Sequence, residues 1–142
     1  AEDTSVAFGG LTADTTLPVE VKADSLTVNQ SDGAAVFAGN VLVTQGEMRL
    51  TAAEIRVDYS ADRKGIDRLL ASGKVLLVNA RDAAEADQAV YTIATGEVVM
   101  TGNVLLTQGQ AAMAAERLVI NLKTGTGKLE GRVTTTFVPG KN

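Results

Sequence analysis

The stretch that decides the fold of this chain is GNVLVTQG at residues 39–46. It returns as GNVLLTQG at residues 102–109, with seven of the eight positions identical after a shift of 63 residues. The same shift places Ile55, Val57 and Tyr59 over three further apolar residues. A match of this length indicates an internal repeat, in which each copy is one structural unit. The chain is therefore expected to repeat a single supersecondary motif.

A shorter unit lies within this repeat. Each copy begins at an alanine, and these alanines are Ala23, Ala52, Ala86 and Ala115. Each copy then reaches a Gly-x-Val step, whose glycines are Gly39, Gly73, Gly102 and Gly131. The alanine and the glycine are 16 residues apart in three copies and 21 apart in the second. This spacing predicts four strand pairs, with a longer joint in the second.

Apolar and polar side chains alternate around these glycines with the period of two that is typical of β-strands. One parity is apolar, and we refer to its side chains as the inward set. The inward set comprises Leu26, Val28, Phe37, Val41, Val43, Ile55, Val57, Tyr59, Leu69, Val75, Leu77, Tyr91, Met100, Val104, Leu106, Leu118, Ile120, Leu129, Val133 and Phe137. The opposite parity is predicted to meet water, and at one equivalent position it carries Asn40, Lys74, Asn103 and Arg132.

A glycine inside a strand weakens strand pairing and typically marks a bulge or a sharp bend. Four bends at equivalent places would curl the sheet. Residues 83–89 are rich in Ala and Glu and also allow a short helix, but they match strands in the other copies. The sequence therefore predicts an all-β fold.

The composition argues against several classes of protein. The chain has 142 residues with no Cys and no His. These absences remove thiolate metal sites and the commonest general base, so we expect no enzymatic activity, no catalytic residue, no metal and no cofactor. The net charge of −4 and the pI near 4.8 oppose a nucleic-acid-binding surface. No apolar run approaches the ~20 residues that span a bilayer, and a start at Ala1 rather than Met is typical of a processed chain.

Three polar clusters suggest a binding site, but each is also explained as part of a loop or turn. The carboxylates within residues 58–67 and 82–87 suggest calcium, but they lack the fixed spacing of a calcium loop. Arg63-Lys64 and Arg68 have the charge to contact a sugar phosphate, although a solvated loop explains them as well. The stretch GTGK at residues 125–128 lacks the spacing of a phosphate-binding loop and predicts a turn.

The stretch FAGNVLVTQG at residues 37–46, followed by VDY at residues 57–59, resembles the OstA-type motif of the LptA/OstA family. The entry at residues 17–26 and the exit at residues 132–139 are similar to the first and last strands of that family's domain. The resemblance therefore covers nearly the whole chain.

Membership of that family would imply a fold and a function. The implied fold is a twisted, open-ended β-jellyroll of repeated strand pairs over residues 17–139, with tails at residues 1–16 and 140–142. The inward set would bind the acyl chains of lipopolysaccharide in the periplasm. The protein would carry this lipid from the inner-membrane complex to the outer-membrane translocon. The lack of a membrane anchor in the sequence favours LptA over LptC.

The resemblance also implies partners at both ends of the sheet. These are an LptC-like inner-membrane protein at the N-terminal edge, an LptD-like outer-membrane protein at the C-terminal edge, and further copies of the chain joined head to tail. Residues 133–138 are β-prone and carry no charge, so the last strand is open to pairing with another chain.

Other interpretations remain beside this one. The inward set would equally well describe a closed core without a ligand. A structural β-repeat scaffold that self-assembles without lipid fits the same alternation. An excised N-terminal OstA domain of LptD would share the same motif.

Overall fold

The structure is a computed structural model, and it describes residues 4–7, 17–29, 34–60, 65–79 and 82–137. The regular elements in these ranges are all β-strands, which confirms the all-β prediction. The eleven strands are β1 (Thr4–Ala7), β2 (Glu20–Lys22), β3 (Ser25–Asn29), β4 (Ala34–Gln45), β5 (Met48–Tyr59), β6 (Ile66–Asn79), β7 (Asp82–Thr92), β8 (Glu97–Gln108), β9 (Ala111–Asn121), β10 (Thr126–Glu130) and β11 (Thr134–Phe137).

These strands form one antiparallel sheet. Its order is β1-β10-β9-β8-β7-β6-β5-β4-β2, while β3 pairs with β4 and β11 pairs with β9. From β4 to β10 the chain is a meander, because each strand pairs with the next one. The two copies of the repeated octapeptide end in tight turns at Gly46 and Gly109, where φ is 60°. Glycine adopts this left-handed conformation without steric cost, which explains its place at the end of each copy.

The long strands bend at the Gly-x steps. The glycines there have φ of 83° or 84°, and the residues that follow have φ between 49° and 51°. The neighbouring strand places one residue opposite each such pair, which is the arrangement of a β-bulge. This confirms the bends predicted at the four glycines. We number them bend one (Gly39-Asn40), bend two (Gly73-Lys74), bend three (Gly102-Asn103) and bend four (Gly131-Arg132).

The bends fold the sheet into two layers that face each other. Layer A contains β1, β3, β10 and one half of each long strand, such as residues 34–38 and 88–92. Layer B contains β2, β11 and the other halves, such as residues 41–45 and 82–86. Apolar side chains from both layers form one buried cluster between them. The curled sheet therefore has its core along the inside of the fold.

Two boundaries differ from the expectations. The entry at residues 17–26, expected to form the first strand, is divided between β2 and the start of β3, because the chain bends at Asp24 opposite bend one. Residues 1–16, expected as a tail, include β1, which pairs with β10. Asn79 and Asp82 pair with each other at the ends of β6 and β7. Residues 83–89 lie in β7, so the strand interpretation was correct and the helix was not.

The apolar interior as the candidate functional site

Most of the inward set lies between the two layers. The following members are at most 1% exposed: Val41, Val43, Ile55, Val57, Leu69, Val75, Leu77, Tyr91, Met100, Val104, Leu106, Leu118, Ile120 and Leu129. Their arrangement follows from strand register, because residues paired across neighbouring strands point to the same face of a sheet. One such row runs Val57, Leu69, Tyr91, Val98 and Ile120 across five strands of layer A. The interior is thus apolar along its length, and its buried side chains pack against one another.

The remaining members of the inward set lie toward the ends of the sheet. Phe37 and Val133 are partly buried and pack against the core. Leu26 and Val28 are exposed, at 53% and 60%, and Tyr59 is 42% exposed at the end of β5. Phe137 pairs with Ala111 through its backbone, and its side chain lies outside the described part of the structure.

The exposure of Leu26 and Val28 comes from their place at the edge of layer A. Leu26 pairs with Phe37, and Val28 pairs with Ala35, whose next partner is the buried Val57. Both side chains therefore continue the inner rows beyond the point where layer B covers them. They leave one end of the apolar interior open to solvent.

Several interior residues were not in the inward set. Met48, Leu50, Met113 and Leu122 are buried in the core, together with alanines such as Ala71 and Ala84. The alternation of β5 continues back from Ile55 through Ala52 to Leu50 and Met48, so the same period of two was present there. The alanines carry little of this signal because their apolar surface is small.

Polar side chains are also buried, on layer B at strand ends far from the bends. Gln45, Asn79 and Asp82 are 1%, 4% and 5% exposed. The Asp82 carboxylate accepts a hydrogen bond from the amide of Gln108 at 3.3 Å. We call these four residues the polar margin.

One hydrogen-bond chain of the polar margin joins the two layers. The Tyr91 hydroxyl in layer A donates to Gln45 Oε1 in layer B at 2.7 Å, and Gln45 Nε2 donates to the Leu17 carbonyl at 2.9 Å. Burial of the phenol raises the pKa of Tyr91 to about 12. Tyr91 therefore stays neutral and able to donate at physiological pH.

In the structure, the polar clusters noted in the sequence have structural roles where they are described. Asp58 pairs with Arg56 at 2.9 Å and with Arg68 at 3.4 Å. Within the described ranges no group of three or more His, Cys, Asp or Glu is placed to hold a metal ion. Asp62 and Arg63-Lys64 lie outside those ranges. The GTGK stretch forms the end of a turn and the start of β10.

These features define a class of protein: a bent antiparallel β-jellyroll whose two layers enclose an apolar interior with one open end. In the part of the chain that the structure describes, no helix is long and apolar enough to cross a membrane. Residues 20–126 match the family model described as "LptA/(LptD N-terminal domain) LPS transport protein". The chain belongs to this family, which is defined by transport rather than by a reaction.

Individual relatives agree with the family match. The chain is 27% identical over 103 residues to the lipopolysaccharide export system protein LptA of Escherichia coli strain K12, covering 68% of this chain and 56% of the relative. It is 28% identical over 107 residues to an uncharacterized protein of Rhizobium meliloti, covering 70% and 58%. It is 32% identical over 78 residues to LptH of Pseudomonas aeruginosa, covering 54% and 43%. The chain thus spans roughly half the length of these curated relatives.

A solved structure has the same fold. The crystal structure of Pseudomonas aeruginosa LptH, described as the LptA-homologous periplasmic component of the lipopolysaccharide transport device, superposes with a TM-score of 0.80. The match covers 89% of this chain and 99% of that one at 19% sequence identity. This likeness confirms the β-jellyroll fold.

Proposed function

We propose that this chain is a periplasmic lipopolysaccharide carrier that holds the acyl chains of the lipid between layers A and B. The observation that carries the proposal is the continuous apolar interior, which ends in the exposed side chains of Leu26 and Val28. An exposed apolar surface that continues a core is typical of an entry for an apolar ligand. Family membership supports lipopolysaccharide as the lipid.

Energetics explain why such a carrier passes its cargo directly to another protein. Each buried methylene contributes about 0.8 kcal/mol, so release of several acyl chains into water is very slow. Transfer to a second apolar groove of the same kind is nearly isoenergetic. We expect other components of the transport system to supply the energy.

Binding requires layers A and B to move apart, because the interior side chains are closed over one another. The chain has no Cys, so no disulfide ties the layers together. Acyl chains that enter between the two layers would contact the apolar side chains of both, and these contacts would replace the ones that the layers make with each other. The polar margin, at the strand ends far from the bends, suits the boundary between acyl chains and a polar headgroup.

The partners proposed for this function meet the sheet at its two ends. In the described part of the chain, β2 and β3 each pair on one side only, and so do β1 and β11. Strands with one free side are open to strand addition. We propose an LptC-like protein at the β2–β3 edge, an LptD-like protein at the β1–β11 edge, and copies of this chain joined head to tail between them.

A second candidate is the N-terminal domain of an LptD protein, because the matching family model covers both kinds of protein. A scaffold without lipid is the third. The lipid-carrying proposal differs from the scaffold in one testable respect, which is contact between lipopolysaccharide and the interior.

Photo-crosslinking tests this contact. A photoreactive residue at Ile55 or Val104, both inside, should capture lipopolysaccharide, whereas the adjacent exposed positions Glu54 and Asn103 should capture little. A thermal melt of each variant shows whether the fold is retained. Equal capture at inside and outside positions, or none at any position in folded protein, would contradict the proposal.

A further inference from the structure

The four bends form a row on the sheet, and the glycine of each bend lies against one side chain of the chain segment that precedes its strand. The facing residues are Asp24 at bend one, Ala53 at bend two, Asp87 at bend three and Glu116 at bend four. Each side chain lies against the glycine of its bend, since a Cβ built on that glycine would come within 2.6 to 2.7 Å of it. The four sites are therefore local copies of one arrangement.

At three bends a carboxylate contacts the residue after the glycine. Asn40 Nδ2 donates to Asp24 Oδ2 at 3.0 Å, and Asn103 Nδ2 donates to Asp87 Oδ2 at 3.0 Å. At bend four, Arg132 Nε lies 3.8 Å from Glu116 Oε2. The repeated bend thus places a carboxylate beside the side chain that follows its glycine.

Bend two lacks this carboxylate. It carries Lys74 after its glycine, but the facing residue is Ala53, and only its methyl group fills the place. Among the residues that the structure describes, none forms an ion pair or hydrogen bond with the Lys74 side chain. The ammonium group is therefore left without the partner that the other bends provide.

A groove of about 710 Å³ opens at this place. It runs from bend one to bend two, and its lining combines the Lys74 side chain with apolar groups of Val41, Leu42, Ala52 and Ala53. A volume of several hundred Å³ is in the range of small-ligand sites. The groove lies along the bend row, and two of its lining residues, Val41 and Ala52, also belong to the buried core.

We propose that bend two is a binding site for a carboxylate carried on a short aliphatic chain, the chemistry of a glutamate side chain. The carboxylate occupies the place that Asp24 and Asp87 fill at bends one and three, and pairs with Lys74. The aliphatic part lies on the apolar lining of the groove. Charge complementarity favours an anion, and the equivalent positions in the same molecule show which anion fits.

Binding is tested with sodium butyrate on isotopically labelled protein at constant ionic strength. Backbone amide shifts of Ala53, Gly73 and Lys74 should move and saturate with butyrate, while those of Gly102 and Asn103 at the filled bend three should not. Butyramide, the neutral analogue, should leave all of them unmoved. Lys74→Met should abolish the response, and Lys128→Met, which removes a charge on β10, should preserve it.

A substitution that supplies the missing carboxylate at bend two gives a second test. Ala53→Asp places a carboxylate where bends one and three already accommodate one, with the same backbone angles. It should block butyrate and raise the melting temperature by about 1–4 °C, the range for an exposed ion pair. The rise should be absent in Ala53→Asn and in the Ala53→Asp, Lys74→Met double variant.

Three results would overturn the proposal. One is butyrate shifts of equal size at bends two and three. Another is an unchanged response in folded Lys74→Met. The third is a response to butyramide as large as that to butyrate. None of these results bears on lipid contact inside the fold, so failure here is distinguishable from failure of the carrier function.

Discussion

The Tyr91 hydroxyl is a polar group placed deep between two apolar layers. Burying a hydroxyl without a partner costs about 1–3 kcal/mol in proteins. Here the group donates to Gln45 Oε1 at 2.7 Å, and Gln45 Nε2 in turn donates to the Leu17 carbonyl. The hydrogen bond therefore makes the tyrosine compatible with the interior and ties layer A to layer B at one point.

Because Tyr91 has its pKa raised to about 12, stability should depend on pH in the alkaline range. Unfolded tyrosine titrates near 10, so between pH 10 and 12 the folded state keeps a proton that the unfolded state loses. The contribution of Tyr91 to the free energy of unfolding should be complete below pH 10. The free energy of unfolding should then fall by about 2–3 kcal/mol as pH rises toward 12. Urea unfolding at several pH values measures this slope.

Tyr91→Phe is the control for that slope. It removes the titrating phenol and keeps the aromatic ring, and the rest of the sequence is unchanged. The difference in slope between the two proteins isolates Tyr91. The same slope in both would mean that Tyr91 is not the group responsible.

At the scale of single residues, alternation predicted burial well and contacts poorly. A period of two identified Ile55, Leu69 and Leu106 as interior, because the face of a residue depends on local backbone geometry. It could not show that Leu26 and Val28 lie beyond the cover of layer B. The hydrogen bond between Tyr91 and Gln45 joins residues 46 apart in opposite layers, so no local pattern indicated it.

At the scale of elements, the bends are the feature that converts a flat meander into two layers. Each bend has two consecutive residues in left-handed conformation. Two bends have Asn as the residue after the glycine, and Asn tolerates the left-handed region better than most residues. Lys74 and Arg132 adopt the same φ without that preference, so the surrounding strand pairs must impose it.

We expect Gly102→Val to destabilise the fold by about 1–3 kcal/mol, typical of a strained backbone. Gly102 has φ of 83°, and a Cβ there would lie 2.6 Å from Asp87 Oδ2. Gly65→Ala is a matched control, because a Cβ at Gly65 meets nothing within 4 Å. Chemical denaturation measures both. Equal stability of the Gly102→Val variant and the parent would show that the bend does not require glycine.

The strands themselves were predictable to the extent that they belong to the repeat. β7 is rich in alanine, and only its alignment with other copies identified it as a strand. β1 was missed because it is four residues long and its partner β10 begins more than a hundred residues later. The division between β2 and β3 follows from bend one, which the sequence placed on β4 but not on its neighbour.

At the scale of the whole molecule, the repeat predicted a curled sheet but not how tightly it would close. Both an open groove and a packed core agree with the same alternation. In the structure the layers are in contact, with interior side chains such as Val43, Ile55 and Met100 fully buried. We therefore expect the proposed lipid binding to separate the two layers, and the bends at one side of the fold suit that motion.

The two edges of the sheet differ in how strongly they oppose pairing with another chain. The β2–β3 edge carries Glu20, Lys22 and Asp24, and charges on an edge oppose unwanted pairing. The opposite edge consists of β1 and β11, and β11 is Thr134-Thr135-Thr136-Phe137, without a charge. A contact between unlike edges repeats without closing, so it would generate a filament rather than a closed dimer.

We therefore expect the chain to associate end to end as its concentration rises, through β11 of one copy and the β2–β3 edge of the next. Thr135 pairs with Met113 and shares its face, so Thr135→Lys places a charge on the inner face of the edge strand. This variant should remain monomeric at concentrations where the parent forms larger species by light scattering. Thr107→Lys, also exposed but within the central strand β8, should associate as the parent does. A parent that is monomeric throughout, or a Thr135→Lys variant that assembles equally well, would rule out edge pairing through β11.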